Sequence, residues 1–127
     1  VLTSNIPTTA FGIEEIETSE LIGITLLKNI NLIDRKAELA IYIGDESYRG
    51  KGLSKEATIL TLDFAFNKLG IHRIWLIVLE QNDIAVKLYK SVGFCKEGLL
   101  RGSRYKNGIY KNEIIMSLLR DEYQNRL

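Results

Sequence analysis

Cysteine, proline and histidine are nearly absent: the 127-residue chain holds one of each, Cys95, Pro7 and His72. A lone cysteine cannot form an internal disulfide, so nothing points to an oxidising, secreted context. One Cys and one His leave an all-protein zinc site short of ligands, and no metal is expected. Charge of one sign is lacking too. Seventeen basic residues stand against sixteen acidic ones, a net +1, which disfavours nucleic-acid or membrane-surface binding by bulk electrostatics. No apolar run reaches the length of a membrane span. The polar start, Val1 to Ala10, has no signal-peptide pattern, and the chain reads as cytoplasmic. Without repeats or a low-complexity linker, residues 1–127 read as a single domain.

What is present is an alternation of strand and helix patterns. Phe11 to Glu17 and Leu21 to Leu27 read as strands joined through Thr18-Ser19-Glu20, an antiparallel hairpin. Lys28 to Lys36 reads as a polar loop. In Ala37 to Ile43, Leu39, Ile41 and Ile43 alternate on one face and Glu38 and Tyr42 on the other, a third strand. A loop of Gly and charge, Gly44 to Gly52, leads into a helix from Leu53 to Leu69. Leu53, Ala57, Leu60 and Phe64 form its apolar stripe, and Gly70 ends it. The continuous apolar run Ile74 to Leu79 predicts a parallel strand buried on both faces. Asn82 or Asp83 can cap a helix from Ile84 to Val92, ended by Gly93. Phe94 to Tyr105 and Ile109 to Leu119 read as strands about an Asn107-Gly108 turn. The order gives an α+β (mixed α/β) domain, a mostly antiparallel sheet flanked by helices.

The stretch Arg49-Gly50-Lys51-Gly52-Leu53-Ser54 lies between a strand and a helix. A helix start offers unpaired N–H groups and a positive dipole end, glycines allow close approach, and Arg49 and Lys51 add charge; together they suit a phosphate or pyrophosphate. It is not a P-loop, since Gly52 is followed by Leu53-Ser54 and not by Lys-Ser/Thr. Nor is it a dinucleotide fingerprint, whose last glycine is replaced by Lys55. A tight glycine turn with solvated charges remains the plain reading of the hexapeptide alone.

Arg49-x-x-Gly52-x-Ser54 resembles the R/Q-x-x-G-x-G/A signature of the GNAT superfamily of N-acetyltransferases, with Ser54 in place of the usual Gly or Ala. Asn82-x-x-Ala85-x-x-Leu88-Tyr89-x-x-x-Gly93-Phe94 is similar to a second segment of that family, and Arg35-x-Ala37-Glu38, Glu97-Gly98 and Asn107-Gly108-x-Tyr110 fit it as well. The resemblance points to the branch with spermidine and ribosomal-protein N-acetyltransferases. It implies acetyl-CoA as co-substrate and direct attack of an amine on the thioester in a ternary complex. It further implies pyrophosphate held on Arg49, Gly50, Lys51, Gly52, Leu53 and Ser54, and pantetheine along the backbone of Ile41, Tyr42 and Ile43 on a splayed strand. Asn82, Ala85 and Lys90 complete the implied cofactor contacts. Tyr89 matches the family's general acid, though its neighbours Ala85, Leu88 and Val92 also suit a core aromatic. Glu38 is the candidate base, directly or through water, against the plain reading of an exposed carboxylate.

Such domains commonly open with a further strand and one or two helices that help form the acceptor pocket. This chain begins after them, at Val1, and is expected to be N-terminally incomplete. Cys95, in an apparent strand, is expected to be a buried structural thiol, and His72 a surface or packing residue. Lys28 falls where the spermidine branch tends to place carboxylates and disfavours a polycation. Glu14, Glu15, Glu17 and Glu20 are expected on a solvated face. The acceptor is therefore read as a protein N-terminus or an amino-bearing small molecule, with a polyamine or a non-catalytic CoA-binding module as alternatives. A homodimer through edge strands is implied by the resemblance alone.

Overall fold

The computed structural model describes residues 8–14, 21–43 and 52–125. Six strands form one sheet: β1 (Thr9–Glu14), β2 (Leu21–Asn31), β3 (Lys36–Ile43), β4 (Arg73–Leu79), β5 (Cys95–Lys106) and β6 (Ile109–Leu119). Their spatial order is β1-β2-β3-β4-β6-β5. All neighbours are antiparallel except β3 and β4. Helix α1 (Leu53–Asp63) joins β3 to β4, α2 (Asp83–Val92) joins β4 to β5, and α3 (Arg120–Gln124) closes the described chain. This is the expected α+β architecture. The predicted Thr18-Ser19-Glu20 turn and the residues Glu15, Glu17 and Glu20 lie outside the described residues.

The core forms on one face of the sheet. Leu27, Ala37, Leu39, Ile74, Leu76, Met116 and Leu118 project from it and are at most 3% exposed. Cross-strand register explains why they meet: Leu27 faces Leu39, Ala37 faces Ile74, and Leu76 faces Met116. Leu62, Ala65 and Phe66 come down on them from α1 and its continuation, with Val92 and Phe94 from the end of α2. Two buried hydroxyls satisfy each other, Thr25 Oγ1 and Thr61 Oγ1 at 2.8 Å, and so tie α1 to β2.

Several elements differ from the sequence reading. β2 runs on through Lys28 to Asn31, and the turn shrinks to residues 32–35 because Asn31 Oδ1 accepts the N–H groups of Ile33 and Asp34. The helix expected to reach Leu69 is α-helical to Asp63 and then widens into a π turn, Phe64–Lys68. Leu60, expected in its apolar stripe, points outward and is 62% exposed. β4 is not buried on both faces: Ile74, Leu76 and Val78 are buried, while Trp75 is half-buried and Ile77 exposed. Its continuous apolar run gives no sign of that alternation. Helix α3 was not expected. Its start lacks a capping side chain at Leu119, and the signal was downstream, where Glu122 accepts the Leu119 N–H at 2.9 Å.

Candidate active site

β3 and β4 pair only from Lys36↔Arg73 to Glu38↔Trp75, then separate. The outer edge of β3 stays paired with β2 as far as Ile43↔Gly23, and β4 stays paired with β6 as far as Leu79↔Glu113. A wedge therefore opens between Leu39–Ile43 and Leu76–Leu79, and along it the facing backbone groups lack a strand partner. Unpaired N–H and C=O groups in a cleft are strong, directional sites for an extended ligand. Ile41, Tyr42 and Ile43 lie on its β3 side, the splayed strand that the sequence led one to expect. Ile41 is half-buried against the core, and Tyr42 is 55% exposed.

Helix α1 begins beside the wedge. Gly52 is its N-cap, in the left-handed region at φ +78°, and no side chain caps the helix. The first helical N–H groups, those of Leu53, Ser54 and Lys55, have no intrahelical acceptor. A Cβ built on Gly52 meets nothing within 4 Å, so glycine is required by the backbone angle and not by crowding. An uncapped helix start with open ground in front of it fits an anion. Arg49, Gly50 and Lys51 lie outside the described residues. A shallow groove of about 300 Å³, lined by Gly52, Lys55, Glu56, Ile59 and Leu60, runs along the side of α1 away from the sheet. It is continuous with the helix start through Gly52 but is separate from the wedge.

Helix α2 carries the second segment. Asn82 caps it, its Oδ1 accepting the Ala85 N–H at 3.1 Å, which fixes where the helix starts. Tyr89, two turns on, is half-buried, and its ring meets Phe94 edge to face at 5.8 Å between centroids. Burial holds its phenol above the ordinary tyrosine range, and Tyr42 adds to the effect. Tyr42 of β3 thus bears on Tyr89 of α2, although the two come from different elements. A phenol so placed keeps its proton at neutral pH. Ala85 is half-buried against the core, and Lys90 is exposed.

Glu38 sits at the closed end of the wedge and is not a free carboxylate. Its Oε1 accepts Asn29 Nδ2 at 2.8 Å, and its Oε2 lies 3.8 Å from Lys28 Nζ. Asn29 reaches it because a register shift in β2 places Asn29 at φ +54°. This arrangement was missed from sequence; the only signal was Asn29, a residue that tolerates left-handed backbone, just after Lys28. Tyr42 lies four residues beyond Glu38, about 13 Å along the strand. Cys95 corrects the sequence reading: it is exposed, at the start of β5, where its side chain turns away from the core. His72 is exposed and is used through its backbone, which donates to the Arg35 carbonyl and accepts from Arg120. Among the described residues no cluster of His, Cys, Asp or Glu could hold a metal ion, and no helix is long and apolar enough to cross a membrane.

A parallel strand pair that opens beside an uncapped helix start is the architecture of one acyl-transfer family. Residues 3–95 match the acetyltransferase (GNAT) domain, and the chain belongs to that family. Among curated relatives it is 38% identical over 104 residues to the spermidine N(1)-acetyltransferase of Escherichia coli, a match covering 82% of this chain and 55% of the relative. It is 30% identical over 104 residues to a putative ribosomal N-acetyltransferase of Bacillus subtilis, covering 82% of this chain and 56% of that protein. A solved structure of spermidine N-acetyltransferase from Vibrio cholerae superposes with a TM-score of 0.89 at 36% identity, over 97% of this chain and 71% of that one. The chain thus spans about half the length of the curated relatives.

Proposed function

We propose that the protein transfers an acetyl group from acetyl-CoA to a primary amine, in the cytoplasm, with both substrates bound together. One observation carries the reading: a protonated tyrosine stands at a wedge of unpaired strand backbone, next to an uncapped helix start. The first-turn N–H groups of Leu53 and Ser54, behind Gly52, suit the pyrophosphate, with Arg49, Gly50 and Lys51 added from the sequence. The inner edge of β3 at Ile41, Tyr42 and Ile43 suits the pantetheine amides, with Asn82, Ala85 and Lys90 on the α2 side. Bound acetyl-CoA supplies an activated thioester.

The chain's own residues then manage protons. As the amine nitrogen bonds to the acetyl carbon and the carbon–sulfur bond breaks, the sulfur takes up a proton. Tyr89 holds that proton ready, and the phenolate it leaves takes up the proton that the attacking nitrogen sheds as it becomes an amide. An alkylammonium must also lose one before it can attack. Glu38 is too far along β3 to reach an amine near Tyr42 directly, so it serves as base only through water.

The acceptor reading remains a protein N-terminus or an amino-bearing small molecule. The names of the relatives favour a polyamine instead. Against that reading stands Lys28, whose ammonium already occupies the carboxylate a second amine would seek. The test is acetyl transfer to spermidine and to peptide N-termini by the chain and its Lys28→Glu variant. Peptide acetylation by the unaltered chain, with spermidine turnover rising only in the variant, supports this reading. Efficient spermidine turnover by the unaltered chain replaces it with the polyamine one. Pairing of the sheet's edge strands, β1 or β5, between two copies is the form a homodimer would take.

A further inference from the structure

Helix α1 buries hydroxyls where its packing calls for hydrocarbon. Thr58 and Thr61 lie on its inner face beside Ala57 and Leu62, and Thr25 of β2 meets Thr61 from the sheet. All three threonines are at most 4% exposed. Valine has nearly the same shape and no hydroxyl to desolvate, so packing alone does not explain threonine at these positions.

Their hydrogen bonds form one directed chain. Thr61 Oγ1 donates to the Ala57 carbonyl at 2.8 Å, and Thr58 Oγ1 donates to the Ser54 carbonyl at 2.6 Å. A hydroxyl has one proton to give. Thr61 spends its own on Ala57, so Thr25 is the donor in the 2.8 Å bond between Thr25 and Thr61. Within α1 the Thr58 N–H also donates to the Ser54 carbonyl, the ordinary helical bond between residues four apart. The Ala57 carbonyl and Thr58 N–H share one peptide unit, as do the Ser54 carbonyl and Lys55 N–H. A carbonyl that accepts an added hydrogen bond polarises the N–H at the other end of its unit. The chain therefore runs from Thr25 through Thr61 and the two peptide units to the Lys55 N–H, a first-turn donor without an intrahelical acceptor. Its other end lies beside the wedge, because Thr25 is the cross-strand partner of Ile41.

We infer that Thr25, Thr58 and Thr61 are positioning residues for the coenzyme. They tie the start of α1 to the strand beside Ile41, and they strengthen the Lys55 N–H as a donor to the diphosphate. The inference rests on the acetyl-transfer reading above. A ligand with both amides and a diphosphate engages the wedge and the helix start at once, and a fixed spacing between them lowers the ordering cost of binding. The three hydroxyls are buried, so they act through backbone groups and not by touching the ligand. A purely structural role is the competing account: threonines bonded back to the preceding turn would only bend α1 ahead of its π turn. That account has both ends of the coenzyme affected alike.

The test uses the full chain and its Thr58→Val, Thr61→Val and Thr25→Val variants, which keep the side-chain shape and remove the hydroxyl. Affinities are measured for acetyl-CoA, for acetyl-pantetheine, which has the amides without the pyrophosphate, and for inorganic pyrophosphate. The Lys55 amide proton shift is read by NMR without ligand. One lost hydrogen bond is worth about 1 kcal/mol, or about five-fold in affinity. Thr58→Val is therefore expected to weaken acetyl-CoA and pyrophosphate about five-fold, with Thr61→Val about three-fold and Thr25→Val about two-fold as the chain lengthens. Acetyl-pantetheine is expected to stay within about two-fold throughout, and the Lys55 amide proton to move upfield in the same order. Thr58→Ser, which restores the hydroxyl, is expected to recover the affinity. Unchanged acetyl-CoA and pyrophosphate affinity in a folded Thr58→Val chain, equal weakening of acetyl-pantetheine, or no recovery with serine overturns the inference. Where Thr58→Val does not fold, Thr61→Val and Thr25→Val decide it on the same criteria. Acetyl-CoA binding that ignores the threonines removes their role alone. Pyrophosphate binding that follows their order without acetyl-CoA binding upholds their action on the helix start and removes the transfer reading.

Discussion

Strand β4 has two unlike flanks. Against β6 it keeps seven consecutive cross-strand partners, from Arg73↔Leu119 to Leu79↔Glu113; against β3 it keeps three. On the closed flank, backbone groups satisfy one another and alternate side chains, Leu76 against Met116 for one, disappear into the core. On the open flank the same strand leaves its neighbour after Trp75. The groups left along that gap, with Tyr42 and Tyr89 at it, are available to a ligand. Stability and ligand binding should therefore separate between the flanks, and substitutions can check whether they do.

The largest expected effect lies on the closed flank. Met116 is fully buried, and Met116→Ala should lower stability by about 2–5 kcal/mol in denaturant unfolding. On the open flank, Tyr89→Phe keeps the ring contact with Phe94 and should leave stability nearly unchanged. It should lower turnover about 100-fold or more while acetyl-CoA affinity stays close to that of the unaltered chain. Loss of affinity and turnover together would make Tyr89 a structural residue and blur the distinction. Gly52→Ala tests the helix start. The left-handed backbone there should cost about 1–2 kcal/mol of stability, and acetyl-CoA affinity should fall as the loop shifts. An unchanged affinity would remove Gly52 from the site.

The smallest effect appears at alkaline pH. Burial raises the Tyr89 phenol on the open flank, and burial with Asp63 raises that of Tyr123, which packs on Phe66 in the core. Below the ordinary tyrosine value near 10 both phenols are protonated, folded or unfolded, and their contribution is fully present. Above it the unfolded chain loses these protons first, so stability falls as pH rises through the raised values. Tyr123→Phe should flatten that fall more than Tyr89→Phe does, as followed by unfolding midpoints at increasing pH.

Much of this was legible in the sequence because local chemistry dictated it. Asn82 three residues before Ala85 reads as a cap and is one; Asn107-Gly108 reads as a tight hairpin turn, and its backbone is left-handed at both positions, φ +54° and +80°. The third strand's alternation places Glu38 and Tyr42 together on one side. What was not legible depends on pairing between distant segments. Lys28 meets Glu38 because the two are cross-strand partners, and Asn29 reaches it through the register shift just beyond, neither of which the pattern of one strand encodes. That Ile77 is exposed follows from helices lying on one face among the described residues, while its apolar run suited burial on both. The Cys95 side chain, at an edge strand's first residue, turns outward although Phe94 beside it is 3% exposed. Arg49, Gly50 and Lys51, proposed for the pyrophosphate, lie outside the described residues, and that proposal rests on the resemblance read in the sequence.

The measurement that bears most directly on the central claim is calorimetric titration of the chain with acetyl-CoA, with free CoA and ATP as comparisons. Saturable binding of acetyl-CoA and CoA, with ATP much weaker, is the predicted result, because the unpaired backbone proposed as the pantetheine site offers partners to amides that ATP lacks. Absence of acetyl-CoA binding by a demonstrably folded chain, or binding of ATP as tight as that of CoA, would contradict the account.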